Sequence, residues 1–160
     1  MAVTIKNLRP LNAVIVYSAV DDAIDHEASD WDKYREDVIK NVDALSFIAG
    51  KEPTKFICNF EFTGKDDATV KDSMMSGVDR ENNVKMSMGS WQYEVVRRVL
   101  KVIENPEGSA DVIKLKFESG NLVDKNTMTF LTRTGVSAEI FDVYLKLRND
   151  EGDAKAEAKN

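Results

Sequence analysis

The chain has 160 residues, 42% of them hydrophobic and 31% charged, a balance that excludes a disordered protein and fits one soluble domain with a core of its own. Its 28 acidic and 22 basic residues leave a net charge near −6, which opposes binding to a nucleic-acid backbone or an anionic membrane. No apolar run approaches the roughly 20 residues of a membrane helix, and the single cysteine, Cys58, excludes an internal disulfide and points to a reducing compartment.

Residues 1–12 carry few apolar side chains and end in Arg9-Pro10-Leu11-Asn12. They read as an N-terminal arm, either a plain tail or an arm that docks on a neighbouring subunit. Met1-Ala2-Val3-Thr4-Ile5-Lys6 lacks the apolar core of a secretory signal. Ala13-Val14-Ile15-Val16-Tyr17 is rich in β-branched residues and predicts a short strand.

An acidic stretch follows over 21–32, with the only histidine, His26, among its carboxylates. A calcium loop needs alternating oxygen ligands around a central glycine, and this stretch has no glycine. A zinc site needs more nitrogen or sulfur than one histidine supplies. The stretch therefore reads as a solvated face. Ser29 or Asp30 is placed to cap a short helix whose apolar side holds Trp31, Tyr34, Val38 and Ile39. Trp31 and Tyr34 are the candidate partner contacts, with core packing as the competing reading.

Leu45-Ser46-Phe47-Ile48 is a brief apolar segment, and Gly50 and Pro53 turn the chain. In the segment 55–62, Phe56, Cys58, Phe60 and Phe62 fall on every second residue, which puts all four on one face of a strand. Cys58 then reads as a core thiol. Thr63 is a candidate cap for a helix running to Met75, with Asp66 and Asp67 favoured in its first turn by the helix dipole. Residues 77–83 read as a polar loop, and Val84, Met86 and Met88 as a short strand.

Trp91, Val95, Val99, Leu100, Val102 and Ile103 recur at helical spacing and predict a helix over 91–104, capped by Ser87 or Ser90 and ended by Asn105-Pro106. Ile113, Leu115 and Phe117 alternate with charged residues as in a strand, although Ala110-Asp111-Val112 could open a helix. Gly120-Asn121 breaks that segment. Thr127-Met128-Thr129-Phe130-Leu131-Thr132 is β-prone and Gly135 ends it. Ser137 is a candidate cap for a last helix carrying Ile140, Phe141, Tyr144, Leu145 and Leu147. Residues 149–160 have no large apolar side chain and read as an acidic flexible tail.

These segments predict a single small α+β domain over 13–148, with a short antiparallel or mixed sheet packed against three to four helices. Its core would rest on the strand at Lys55 and the helices at Trp91 and Ser137. No Walker loop, dinucleotide fingerprint, cysteine pair or histidine-paired nucleophile occurs, so no catalytic, cofactor-binding or metal-binding residue is assigned. A non-enzymatic role is expected, against the alternative of a site assembled from distant residues.

The turn Gly50-Lys51-Glu52-Pro53-Thr54, the apolar strand after it, Thr63-Gly64 and a charged helix resemble a pattern found in small tail-assembly and head–tail proteins of tailed bacteriophages. A second helix through Val95 and Ile103 and a terminal helix opening at Val136-Ser137 complete the likeness, which covers about residues 45–148. The resemblance implies a virion structural or assembly protein, found in the virion or host cytoplasm. It would act on other virion or assembly proteins, or on copies of itself, without a cofactor. An assembly chaperone absent from the mature particle and a small binding domain of a cellular complex are the alternatives.

Overall fold

The structure is a computed structural model. It describes residues 11–61, 68–70, 72, 75–78, 84–86, 88–104, 112–113 and 115–159, with side chains described no further than Arg148. Its centre is a four-stranded antiparallel sheet ordered β1 (Val14–Val16), β2 (Lys55–Cys58), β5 (Leu100–Glu104) and β6 (Val112–Ile113). Two hairpins flank it, β3 (Met75–Val78) with β4 (Val84–Met86), and β7 (Phe117–Glu118) with β8 (Asn121–Leu122). The helices are α1 (Trp31–Glu36), α2 (Met88–Val99), α3 (Lys125–Arg133) and α4 (Val136–Lys159), with a 3-10 turn at Val42–Ala44. Among the described residues this is the α+β domain that the sequence predicts.

Alternation decides the two faces of the sheet. Val14, Val16, Phe56, Cys58, Leu100 and Ile103 are buried on the inner face. Ile15, Ile57 and Val102, which lie opposite one another across three strands, are only half-buried on the outer one. Phe60 continues the buried row of β2 beyond the strand, and its N–H donates to the Leu11 carbonyl at 2.8 Å. Phe62 lies outside the described residues. So does Thr63, the expected cap of the next helix, of which the described helical residues include a fully buried Val70.

The helix expected over 91–104 ends early. Helix α2 stops at Val99 and the chain passes directly into β5, the strand that pairs with β2. The Val99 carbonyl accepts from the Asn59 N–H at 2.7 Å, so a tertiary hydrogen bond takes the acceptor at the point where the helix ends. The register pairs Ile57 with Val102 but Cys58 with Leu100, leaving Lys101 as the extra residue of a bulge. That extra residue spaces the buried Leu100 and Ile103 three apart, which in sequence imitates a helix. β-branched Val102 and Ile103 suit the strand better. The expected stop at Asn105-Pro106 lies outside the described residues, as does Ser87; Ser90 lies within α2 rather than capping it.

Three further expectations are corrected. Met75, Gly77 and Val78 belong to β3 rather than to a helix end and a loop, because they pair with β4 across the hairpin. The segment 127–132 is helical, within α3. Asp124 caps it, accepting from the Asn126 N–H at 3.1 Å and the Thr127 hydroxyl at 2.8 Å. Met128 and Leu131, three apart, are its buried stripe, and the Thr132 and Thr134 hydroxyls return their hydrogen bonds to carbonyls four residues back. Thr134 and Gly135, the latter at φ 83°, turn the chain into α4, as expected of that glycine. Helix α4 opens at Val136, so Ser137 sits inside its first turn, buried, instead of capping it.

Helix α1 is shorter than its apolar pattern: Asp30 caps it and it ends at Glu36, with Val38 buried in the turn that follows. The alternating segment 113–117 divides into the end of β6 and the start of β7. The β7–β8 loop is Ser119-Gly120, at φ 51° and 81°, the two positive angles of a tight hairpin turn that Gly120 adopts without strain.

Helix α4 closes the core. Ile140, Phe141, Val143, Tyr144 and Leu147 are buried, and Trp91 of α2 meets Phe141 edge-on with ring centroids 5.0 Å apart. Its backbone stays helical to Lys159, where a flexible tail from 149 is expected. Alanine, lysine and glutamate over 154–159 are strong helix formers and extend a helix already nucleated by its docked half. With no large apolar side chain to bury there, deletion of residues 150–160 should leave the melting temperature nearly unchanged, as measured by thermal denaturation.

Candidate interaction surface around Trp31

The loop before α1 is held by carboxylates acting on backbone. The two oxygens of Asp21 accept separately, from the Ala23 N–H at 2.9 Å and the Thr54 N–H at 2.7 Å. The latter fastens the 50–54 turn to this loop. Asp25 accepts from the Glu27 and Ala28 N–H groups at 3.1 and 3.2 Å, and Asp30 from Lys33 at 3.1 Å. The acidic stretch thus supplies local turn and cap bonds, the usual work of aspartate outside regular structure. Among the described residues no three histidine, cysteine or acidic side chains gather where they could hold a metal ion.

The two candidate contact residues part company. Tyr34 points inward and is 2% exposed, and its hydroxyl accepts from the Tyr17 N–H at 3.0 Å. Burial pushes its phenol well above the usual tyrosine range, so it is a neutral core group. Trp31 is half-buried, packed edge-on against Tyr34 at 5.4 Å and stacked with His26 at 5.7 Å. The Arg35 guanidinium lies 5.6 Å from the centre of its ring. Trp31 therefore keeps an accessible portion flanked by polar groups, while Tyr34 keeps none. Exposed Val20, Phe47 and Ile48 sit on the neighbouring loops, where Ile48 N–H donates to the Ala23 carbonyl at 2.8 Å.

Two attachments tie this region to the last helix. The Glu139 carboxylate on α4 accepts from the Ser18 hydroxyl at 2.6 Å and the Ala19 N–H at 3.0 Å. Lys146 donates to the Arg35 carbonyl at 2.7 Å and pairs with Asp142 at 3.1 Å. Sequence reading misses both, because partners more than a hundred residues apart leave no local spacing to read. Between α1 and α4 lies a shallow cleft with a cavity volume of only about 10 Å³, lined by 35–38 on one side and Val143, Lys146 and Leu147 on the other. It is smaller than the roughly 300–1,000 Å³ of ordinary small-molecule sites.

Cys58 is fully buried, and burial pushes its thiol far above the ordinary range, so the nucleophilic thiolate does not form near neutral pH. A thiol reagent should label it only after denaturation; rapid labelling of the native protein would show that β2 opens. Asp66 and Asp67, expected in the first turn of the helix after Thr63, lie outside the described residues. Among the described residues no helix is long and apolar enough to cross a membrane. In comparison with known proteins, no family model, no curated protein and no solved structure matches the chain.

Proposed function

We infer that the protein is a non-enzymatic structural or assembly protein of a bacteriophage virion, from the tail or head–tail region, acting through protein–protein contacts. What supports this reading is the resemblance of its sequence pattern over about residues 45–148 to that of such proteins. Of that pattern the fold keeps the glycine turn at Gly50, at φ 82°, the strand at Lys55 and a terminal helix opening at Val136, while the second helix stops at Val99 instead of running through Ile103. The surface chemistry supports it. Half-buried Trp31 at the start of α1 and exposed Val20, Phe47 and Ile48 on the neighbouring loops surround a segment pinned by the hydrogen bonds of Asp21, Asp25 and Asp30. An aromatic anchor on a rigid support is what a repeated protein contact uses.

The test is quantitative mass spectrometry of purified particles against the soluble fraction of the source. Enrichment in particles at a fixed copy number supports a virion component. Abundance in the soluble pool with absence from particles overturns that part of the reading and leaves an assembly chaperone or a binding domain of a cellular complex, which a pull-down separates.

A further inference from the structure

One exposed ring closes the 21–30 loop onto α1. Trp31 Nε1–H donates to His26 Nδ1 at 2.9 Å, and His26 Nε2 lies 3.2 Å from the Asp21 carbonyl oxygen. An indole N–H only donates and a carbonyl oxygen only accepts, so the two contacts together assign the neutral ring with its hydrogen on Nε2. The rings stack with 19° between their planes. Trp31 meets Tyr34 edge-on, and the Tyr34 hydroxyl holds the Tyr17 N–H at the end of β1. His26 at the surface is thereby two rings away from the sheet.

We propose that His26 is a proton-operated clasp on Trp31: the neutral ring holds the indole against the loop, and the protonated ring releases it. A proton on Nδ1 sets two donors facing each other across 2.9 Å. Turning the ring over brings no relief, because both nitrogens of an imidazolium carry hydrogens. The pair is exposed, so water takes over the indole N–H and the rings separate.

The charged neighbours act in the same direction. Asp21, Asp25 and Asp30 are engaged with backbone N–H groups, while Asp22, Glu27 and Asp32 of the same acidic stretch are exposed. Lys51 shares Asp22 at 3.9 Å. Arg35, already 5.6 Å from the Trp31 ring centre, repels a second cation on the same indole. The clasp stands on this geometry and is independent of the function inferred above.

The experiment is a pH series of ¹H–¹⁵N spectra on the full chain, from roughly pH 8 to 5, the span in which histidines change charge. Trp31→Phe identifies the Trp31 indole signal, and Trp91 provides the internal reference. His26→Gln replaces the ring with a side chain whose amide oxygen accepts at every pH in the series. The Trp31 indole N–H should shift and exchange faster with water as the His26 ring signals titrate, while Trp91 holds still. In His26→Gln that pH response should be lost. A Trp31 signal that stays fixed while His26 titrates, or that moves equally in His26→Gln, overturns the proposal.

Discussion

Val99→Asp should abolish cooperative folding of the domain. Val99 is fully buried at the junction of α2 and β5, with Val95, Val96 and Leu100 buried around it and its own carbonyl held by Asn59. A carboxylate there finds no partner, and an uncompensated buried charge costs on the order of 3–5 kcal/mol. That is a large part of the roughly 5–15 kcal/mol by which whole domains are stable. The lost branched side chain adds to the cost. Val102→Asp serves as the comparison, because Val102 lies half-buried on the outer face of the sheet and should be distinctly better tolerated. Thermal and urea unfolding of both variants decide the matter. A Val99→Asp protein that melts with the wild type would refute the burial of Val99 at the end of α2.

The second large effect is expected at Tyr34. Its ring is enclosed by Trp31 and Tyr17, and Tyr34→Ala should cost about 3–5 kcal/mol, as loss of a buried aromatic ring does. Tyr34→Phe keeps the ring but leaves the Tyr17 N–H without its acceptor, for about 1–3 kcal/mol. Both are read from denaturant midpoints.

Tyr34 also predicts a pH response. Desolvation by burial raises its folded-state pKa, and raises that of Tyr17 too, with Glu104 adding to the latter. Below the unfolded tyrosine value of about 10 the stabilisation is fully present. As the pH rises past that value the unfolded chain ionises first, and stability falls until the folded phenols ionise as well. The wild type should therefore lose stability in alkali more steeply than Tyr34→Phe. Equal slopes would show that the Tyr34 phenol reaches water in the folded state.

Where local pattern and tertiary role coincide, the sequence is enough. The alternation of Phe56, Cys58 and Phe60 foretells the inner face of β2, since side chains of a strand alternate whatever it packs against. Ile140, Phe141, Tyr144 and Leu147 foretell the docked side of α4 in the same way, through helical spacing. Asp30 is legible as a cap because capping is chemistry within three residues. Among the candidate contacts, the pair Trp31 and Tyr34 is legible only as aromatic residues on one helix. Which of them the core takes depends on the Tyr17 N–H, seventeen residues earlier.

The composition, the α+β class, most core residues and the lack of a known catalytic motif are thus properties of the sequence by itself. Tertiary structure alone decides that α2 ends at Val99, because a bulge at Lys101 gives a strand the spacing of a helix and Asn59 takes the last helical carbonyl. It also decides that 127–132 is a helix, since burial of Met128 and Leu131 outweighs the β-propensity of three threonines, while the Asp124 cap at its start is local chemistry present in the sequence. Glu139 reaching Ser18, and Trp31 reaching His26, belong to the same class. The physical reason is common to all of them: propensity differences of a few tenths of a kcal/mol per residue set the local preference, and hydrogen bonds and burial supplied by the rest of the fold are each large enough to reverse it.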